Sequence, residues 1–131
     1  LQPFNDILVG GNTFTSLKDK VLSLNDLQNY PLICLAKETT TYKFYHQLFI
    51  SNGVELNPDI EVATTDQILQ LVKSELGLAF LPETMSKEAI SQNQIIRINL
   101  KEEIPQRHIC MVYDKQHPIS AAAKTLKNLI V

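Results

Sequence analysis

Short apolar runs alternate with amphipathic segments along most of the chain, and no other feature of the sequence constrains the fold as strongly. Apolar runs typical of buried strands lie at residues 6–9, 32–36, 60–63 and 78–81. Segments with apolar residues at helical spacing follow the later three runs, at residues 42–52, 65–75 and 83–91. Strands and helices that alternate through short loops form parallel sheets with helices packed on them. The sequence therefore predicts the α/β class, with a parallel-rich open sheet and flanking helices.

The last third of the chain predicts two more strands and a closing helix. Residues 95–100 alternate between apolar and polar side chains, which predicts a strand at an edge or in a half-exposed position. Residues 108–113 form a further predicted strand. Residues 119–131 carry apolar side chains at helical spacing, which predicts an amphipathic helix with one inward face.

The charge of the chain argues against direct contact with nucleic acid. Its 12 basic and 14 acidic residues give a net charge of −2, and the basic residues form no cluster. Nucleic-acid-binding surfaces are basic, because phosphate neutralisation drives their affinity. No apolar run approaches the ~20 residues that cross a bilayer, and residues 1–4 lack the features of a signal peptide. We therefore expect no DNA or membrane contacts from these residues, and we expect the chain to be part of a longer gene product.

The sequence offers little for catalysis or metal binding. The three histidines, His46, His108 and His117, lack the spacing of metal ligands. Cys34 and Cys110 lie in apolar runs, which predicts two reduced, buried thiols in strands and leaves a disulfide open. The sequence contains neither a phosphate-binding glycine loop nor a nucleophile motif. We therefore expect no enzyme activity, no metal and no cofactor.

Two threonine-rich junctions are the strongest candidates for a binding site. Residues 38–41 (Glu-Thr-Thr-Thr) precede the helix at 42–52, and residues 63–66 (Ala-Thr-Thr-Asp) begin the next helix. Ligands of open α/β sheets bind at the carboxyl ends of strands, where helix N-termini and hydroxyls favour an anion. The same threonines can serve as helix caps alone, and Thr64 with Gln67 fits a capping box. Two such junctions at one edge of a sheet predict a site for a small polar or anionic ligand.

Several motifs follow one another in an order known from one protein family. Residues 23–33 fit the pattern sL.dL..ypli, and threonines 39–41 follow at the expected spacing. Residues 61–82 fit the pattern e..s.d.l..lv..GlGia.lP, and residues 120–129 fit a closing helix. Together these motifs resemble the effector domain of LysR-type bacterial transcriptional regulators. The resemblance covers nearly the whole chain, and the order and spacing of the motifs are more specific than any one of them.

The resemblance implies a periplasmic-binding-protein-like (type 2) fold, in which two α/β lobes joined by two crossing strands hold a small effector between them. Residues 1–10 would form the first hinge strand, residues 11–107 the second lobe, and residues 108–131 the return hinge strand and the closing helix. The first lobe and the N-terminal helix-turn-helix that binds DNA would lie outside this chain. The resemblance also implies a cytoplasmic regulator that forms homo-oligomers, either dimers or tetramers.

The resemblance also carries over a set of site residues. The positions that would contact the effector are those of the two junctions: Thr39, Thr40, Thr41, Ala63, Thr64 and Thr65. Of these, Thr40 and Thr65 are the strongest candidates for hydroxyl or N–H contacts. Gly10 and Gly11 would lie near the hinge, because paired glycines tolerate unusual backbone angles. Without a first lobe to cover it, the apolar face of the closing helix would contact another copy of the chain or its own lobe.

Two other functions remain open at this point. One is the lobe of a periplasmic-type solute-binding protein for uptake, whose gene would encode a signal peptide in place of a helix-turn-helix. The other is an aminotransfer or deaminase enzyme with a similar bilobal fold. Such an enzyme would need a catalytic His or Lys with a perturbed pKa in the cleft.

Overall fold

The chain folds into an α/β lobe whose main elements follow the predicted order. The computed structural model describes residues 2–130. The strands in this part of the chain are β1 (Gln2–Phe4), β2 (Asp6–Gly11), β3 (Val21–Leu22), β4 (Ile33–Leu35), β5 (Ile60–Val62), β6 (Ala79–Pro82), β7 (Ile95–Leu100) and β8 (Arg107–Ile109). The α-helices are α1 (Thr40–Ser51), α2 (Thr65–Lys73), α3 (Glu83–Ser91) and α4 (Ala121–Ile130). None of these helices is long and apolar enough to span a bilayer.

The main sheet is parallel except for strand β2. Strands β3, β7, β2 and β6 pair in that order, with β2 antiparallel to both of its neighbours and β3 parallel to β7. Strands β4 and β5 pair in parallel, and a parallel bridge between Leu32 and Leu78 connects them to the β6 side. Strand β7 is half exposed, as predicted, but it has neighbours on both sides and is not an edge strand. The parallel-rich α/β class is therefore confirmed.

Helices pack on both faces of the sheet. Because side chains alternate along each strand, one strand contributes to a hydrophobic cluster on each face. Leu8 of β2 lies in the hydrophobic cluster under α1, together with Tyr45 and Phe49. Ile7 and Val9 of the same strand lie in the second cluster, which packs under α2 and α3. All six residues of β2 are buried, so this strand is the centre of the lobe.

The helix ends follow the predicted glycines in one case and depart from them in another. Gly53, with φ of 70°, follows α1 as predicted. After α2 the left-handed residue is Glu75, with φ of 65°, and not the predicted Gly77. A Cβ atom at Gly77 would lie 2.7 Å from the carbonyl oxygen of Pro31. Gly77 is therefore explained by close packing between two chain segments.

Strands β1 and β8 form a two-stranded sheet of their own. Strand β1 pairs antiparallel with β8. Residues 6–10, the second half of the predicted first hinge strand, are part of the buried strand β2. The strand predicted at 108–113 ends at Ile109. Strand β1 is hard to detect from sequence because Pro3 interrupts a short segment, although a strand with a free edge tolerates proline.

The predicted hinge glycines lie inside the sheet. Gly10 and Gly11 pair with β7, at the end of β2 remote from β1 and β8. A Cβ atom at Gly11 would lie 2.8 Å from the carbonyl oxygen of Val72 in α2. Because that oxygen belongs to the backbone, it cannot move aside as a flexible side chain can. Gly11 therefore allows α2 to approach the sheet closely, whereas a Cβ atom at Gly10 would lie 2.7 Å from a side-chain carbon of Leu78.

The closing helix α4 lies apart from the hydrophobic core. No residue of α4 is buried, and Leu126 and Leu129 are 53% and 79% exposed. The apolar face that the sequence predicted to be inward therefore has no cover within residues 2–130. The helix does not fold back on its own lobe, and its contact with another copy of the chain stays a prediction.

Candidate functional site

The two threonine-rich junctions lie at one edge of the sheet. Strands β4 and β5 are parallel neighbours whose last residues, Leu35 and Val62, are register partners. The helix starts that follow, at Thr40 and Thr65, therefore share the carboxyl edge of these strands. From this edge α1 and α2 leave on opposite faces of the sheet. A ligand-binding crevice is expected at the carboxyl edge of an open sheet where successive connections change face.

Two of the predicted site threonines act as helix caps. Thr39 Oγ1 accepts a hydrogen bond from the backbone N–H of Tyr42 (3.1 Å) and donates one to the carbonyl oxygen of Ala36 (2.7 Å). Thr64 Oγ1 accepts a hydrogen bond from the backbone N–H of Gln67 (3.3 Å) in the predicted capping box. Both hydroxyls are therefore engaged within the chain, and capping explains both residues.

The backbone N–H of Ala63 is engaged as well. Gln67 Oε1 accepts hydrogen bonds from the N–H groups of Ala63 (2.9 Å) and Thr64 (3.2 Å). The capping glutamine thus satisfies the donors that precede α2. Ala63 offers no free backbone donor at this edge of the sheet.

Thr40 and Thr65 are the junction threonines whose hydroxyls remain free. They are the first residues of α1 and α2, and neither side chain has a hydrogen-bond partner among residues 2–130. Thr40 is exposed and Thr65 is half-buried. The N–H groups of the first helical turn also lack intrahelical partners. Each position can therefore offer a hydroxyl and a backbone amide to a ligand.

Thr41 belongs to a polar cluster that the sequence analysis missed. Arg107 Nη2 donates a hydrogen bond to Thr41 Oγ1 (2.8 Å), and Arg107 Nη1 donates one to Asp6 Oδ2 (3.0 Å). The hydroxyl of Tyr45 donates to the same carboxylate oxygen. We call these four residues the Arg107 cluster. Its one sequence signal is Asp6 at the start of an apolar strand, because a buried carboxylate requires partners.

Folding raises the pKa of two ionisable groups near this edge. Burial is the main cause that raises the pKa of the Cys34 thiol to about 12, with smaller contributions from Glu61 and Asp59. Burial, and then the charge of Asp6, also raise the pKa of the Tyr45 hydroxyl. Both groups stay protonated near neutral pH, so neither is an activated nucleophile or base.

The space beneath the two helix starts is small. A cavity of about 20 Å³ lies there, bounded by residues that include Leu35, Thr41 and Ile68. Such a volume holds about one water molecule. A cavity of this size is too small to enclose a metabolite.

Comparison with known families identifies the domain type. The family model described as the LysR substrate binding domain matches residues 11–131. The HTH-type transcriptional activator CmpR of Synechocystis sp. is 26% identical to this chain over 121 residues. The matched region is 91% of this chain and 39% of that protein, so the chain spans less than half the length of this relative.

Solved structures show the same fold. The effector binding domain of QuiR in complex with shikimate has a TM-score of 0.82 at 20% identity, over 98% of this chain and 60% of that one. The regulatory domain of CcmR from Synechocystis PCC6803 in complex with 2-PG has a TM-score of 0.75 at 16% identity, over 98% and 64% of the two chains. These likenesses confirm the predicted periplasmic-binding-protein-like fold.

The family match covers nearly all of the features described above. It includes both helix starts, the parallel strands β4 and β5, and α4; within the Arg107 cluster it leaves out Asp6. The solved structures share the fold that the resemblance drawn from the motifs implies. This chain belongs to the LysR substrate binding domain family.

Proposed function

We propose that this chain is the effector-sensing domain of a LysR-type bacterial transcriptional regulator, and that it binds a small anionic metabolite in a cleft between two lobes. The observation that carries the proposal is the pair of free hydroxyls of Thr40 and Thr65 at helix starts on one edge of the sheet. Membership of the LysR substrate binding domain family supports the regulatory role. Thr39, Ala63 and Thr64 would shape the site, since the two hydroxyls and the Ala63 N–H are engaged within the chain.

The charges at the two helix starts predict which chemical group of the ligand lies beside each start. The first turn of α1 contains no acidic residue, whereas Asp66 lies in the first turn of α2. A helix start carries a partial positive charge, and a carboxylate in the same turn offsets it. We therefore expect the anionic group of the effector beside Thr40. A neutral acceptor, such as a hydroxyl or carbonyl oxygen, is expected beside Thr65.

The division into lobes is also a proposal, and the strand pairing supports a hinge of a few residues on each strand. The sequence assigned residues 1–10 and 108–131 to the crossing strands and closing helix, with residues 11–107 as the second lobe. The pairing of β1 with β8 supports a hinge at Gln2–Phe4, within the first range, and at Arg107–Ile109, which overlaps the start of the last range. The lobe then includes all of β2, and Gly10 and Gly11 belong to its packing and not to the hinge.

The proposed switch does no chemistry. An effector favours the arrangement of the lobes that it binds more tightly, and its difference in affinity, typically ~1–3 kcal/mol, limits the shift. In the parent regulator, a cytoplasmic homo-oligomer in this proposal, the shift would move an N-terminal helix-turn-helix. DNA would be bound through that segment and not through this domain.

Calorimetric titration of the intact regulator tests the proposal. The probes are shikimate, 2-PG and a panel of other small carboxylates and phosphates. Any probe that binds should bind roughly tenfold more weakly to Thr40→Val and to Thr65→Val, because a hydrogen-bond donor is lost while the side-chain shape is kept.

Thr125→Val, at an exposed threonine of α4, is the matched control and should bind as the wild type does. Binding that both junction variants retain at wild-type strength would place the site elsewhere. Failure of every small acid in the panel to bind would also contradict the proposal.

A further inference from the structure

Arg107 is the point at which four elements meet. It lies in β8, and its guanidinium donates to Asp6 of β2 (3.0 Å) and to Thr41 of α1 (2.8 Å). The guanidinium carbon lies 5.1 Å from the ring centre of Phe4 in β1 and 4.9 Å from that of Phe44 in α1. One side chain thus connects both strands of the β1–β8 pair to the helix that begins at the candidate site.

These contacts hold the guanidinium in place. The side chain of Asp6 is 1% exposed, and its Oδ1 atom has no hydrogen-bond partner among residues 2–130. Arg107 therefore supplies the positive charge that compensates a buried carboxylate, and its departure would leave that charge paired with the Tyr45 hydroxyl alone. Two of the five N–H groups of the guanidinium are used in these bonds, one to each partner.

The bond from Arg107 also determines what the Thr41 hydroxyl can do. A threonine hydroxyl has one proton and two acceptor lone pairs. Because Thr41 Oγ1 accepts from Arg107 and no donation by this hydroxyl is found within residues 2–130, its proton is free for another acceptor. Thr41 follows Thr40 in the first turn of α1, at the same edge. The hydroxyl is therefore oriented as a donor toward a carboxylate, phosphate or carbonyl oxygen.

We propose that Arg107 is a positioning residue that couples the β1–β8 pair to the effector site by holding the Thr41 hydroxyl while Asp6 holds Arg107. The coupling rests on the proposed function, because it needs an effector at this edge and a hinge at this strand pair. An effector that accepts a hydrogen bond from Thr41 strengthens the Arg107–Thr41 hydrogen bond, which joins β8 to α1. By reciprocity, a lobe arrangement that keeps the Arg107–Thr41 hydrogen bond binds the effector more tightly.

Hydrogen–deuterium exchange of the chain without ligand tests directly whether the Arg107–Thr41 hydrogen bond joins β8 to α1. In Thr41→Val, amides of β8 and of the first turn of α1 should exchange roughly tenfold faster, because a hydrogen bond to a charged group is lost. Exchange in β7, an internal strand, should not change. Thr41→Ser keeps the hydroxyl and should restore the wild-type rates.

Arg107→Lys separates the hydrogen bond to Thr41 from the positive charge beside Asp6. An ammonium group can still pair with Asp6, but it cannot reproduce the planar fork that spans Asp6 and Thr41. It should therefore match Thr41→Val, and the double variant should exchange no faster than either single variant, since both remove the same bond. Unchanged exchange in β8, equal acceleration in β7, or additive effects in the double variant would each overturn the coupling.

A binding measurement separates this proposal from the proposed function. For any probe that the intact regulator binds, Arg107→Lys should weaken binding as much as Thr41→Val does, and Thr41→Ser should restore it. Undiminished binding by Arg107→Lys would overturn the coupling while leaving the effector site intact. If no probe binds, the proposed function fails, and the coupling to an effector fails with it, whatever the exchange rates show.

Discussion

At the scale of single residues, hydrogen bonding distinguishes junction threonines that the sequence shows as equivalent. Thr39 and Thr64 occupy the cap positions, so their hydroxyls satisfy backbone N–H groups. The side chains of Thr40 and Thr65, one position later, have no hydrogen-bond partner among residues 2–130. A helix start places successive side chains in different directions, and one position decides between capping and recognition. The candidate site therefore depends on the register of each helix start.

The two cysteines should differ sharply in reactivity. Cys34 is buried in β4, as predicted, whereas Cys110 is exposed beyond the end of β8, where the sequence predicted a buried strand. Because burial raises the pKa of Cys34 from 9.0 to about 12, its thiolate is scarce at pH 8. A thiol-reactive dye at pH 8 should label one cysteine per native chain and both after unfolding.

The same pKa shift sets the pH dependence of stability. A thiol whose pKa is raised by folding leaves stability unaffected below its unfolded value and lowers it as the pH rises from about 9 towards 12.

Cys110→Ser should remove the native labelling and leave Cys34 unlabelled. Rapid labelling of Cys34 in the folded Cys110→Ser chain would contradict its burial.

At the scale of elements, the sequence predicted best where local signals and packing agree. Helix α3 at 83–91 and strand β7 at 95–100 have the predicted bounds. The strand expected at 108–113 is shorter because β1, its partner, offers three residues for pairing. Val112 in the unpaired remainder is 91% exposed. Apolar composition predicts a strand, but the length of the strand depends on a partner that lies elsewhere in the sequence.

The capping box at α2 provides a test of the division between caps and free threonines. Thr64→Ala removes the hydroxyl that accepts from Gln67 and should lower the free energy of unfolding by about 1 kcal/mol. Thr65→Val removes a hydroxyl with no partner in the described chain and should change stability by less than about 0.5 kcal/mol. Urea unfolding of the two variants measures both values. Equal losses would mean that both threonines stabilise the helix, and Thr65 would lose its assignment to the ligand.

At the scale of the whole molecule, the sequence pattern predicted the class of the fold but not its connections between distant segments. Alternating strands and helices were enough for a parallel-rich sheet, because each element carries its own periodicity. The Arg107 cluster was not predictable, since Asp6 and Arg107 are 101 positions apart and meet through the β1–β8 pairing. The packing role of the paired glycines was not predictable for a related reason. Two glycines suggest flexibility locally, while the close packing of α2 on β2 is what requires Gly11.

The uncovered face of α4 predicts how this chain behaves in solution. Leu126, Leu129 and Ile130 are 53%, 79% and 44% exposed, and Val112 adds a further apolar side chain before the helix. Exposed apolar area of this kind favours association. We expect the chain to associate as its concentration rises, with two copies covering each other's α4. Sedimentation velocity over a range of concentrations measures this behaviour.

Leu129→Glu should raise the dissociation constant about tenfold or more, because it places a charge where apolar side chains meet. Asn128→Glu adds the same charge at the neighbouring exposed position and is the matched control. A chain that stays monomeric at every concentration would contradict the prediction. In the intact regulator, the proposed first lobe should cover this face, so Leu129→Glu should there lower the stability of the domain and not its association. The two settings together distinguish a face built for another copy from one built for the other lobe of the same chain.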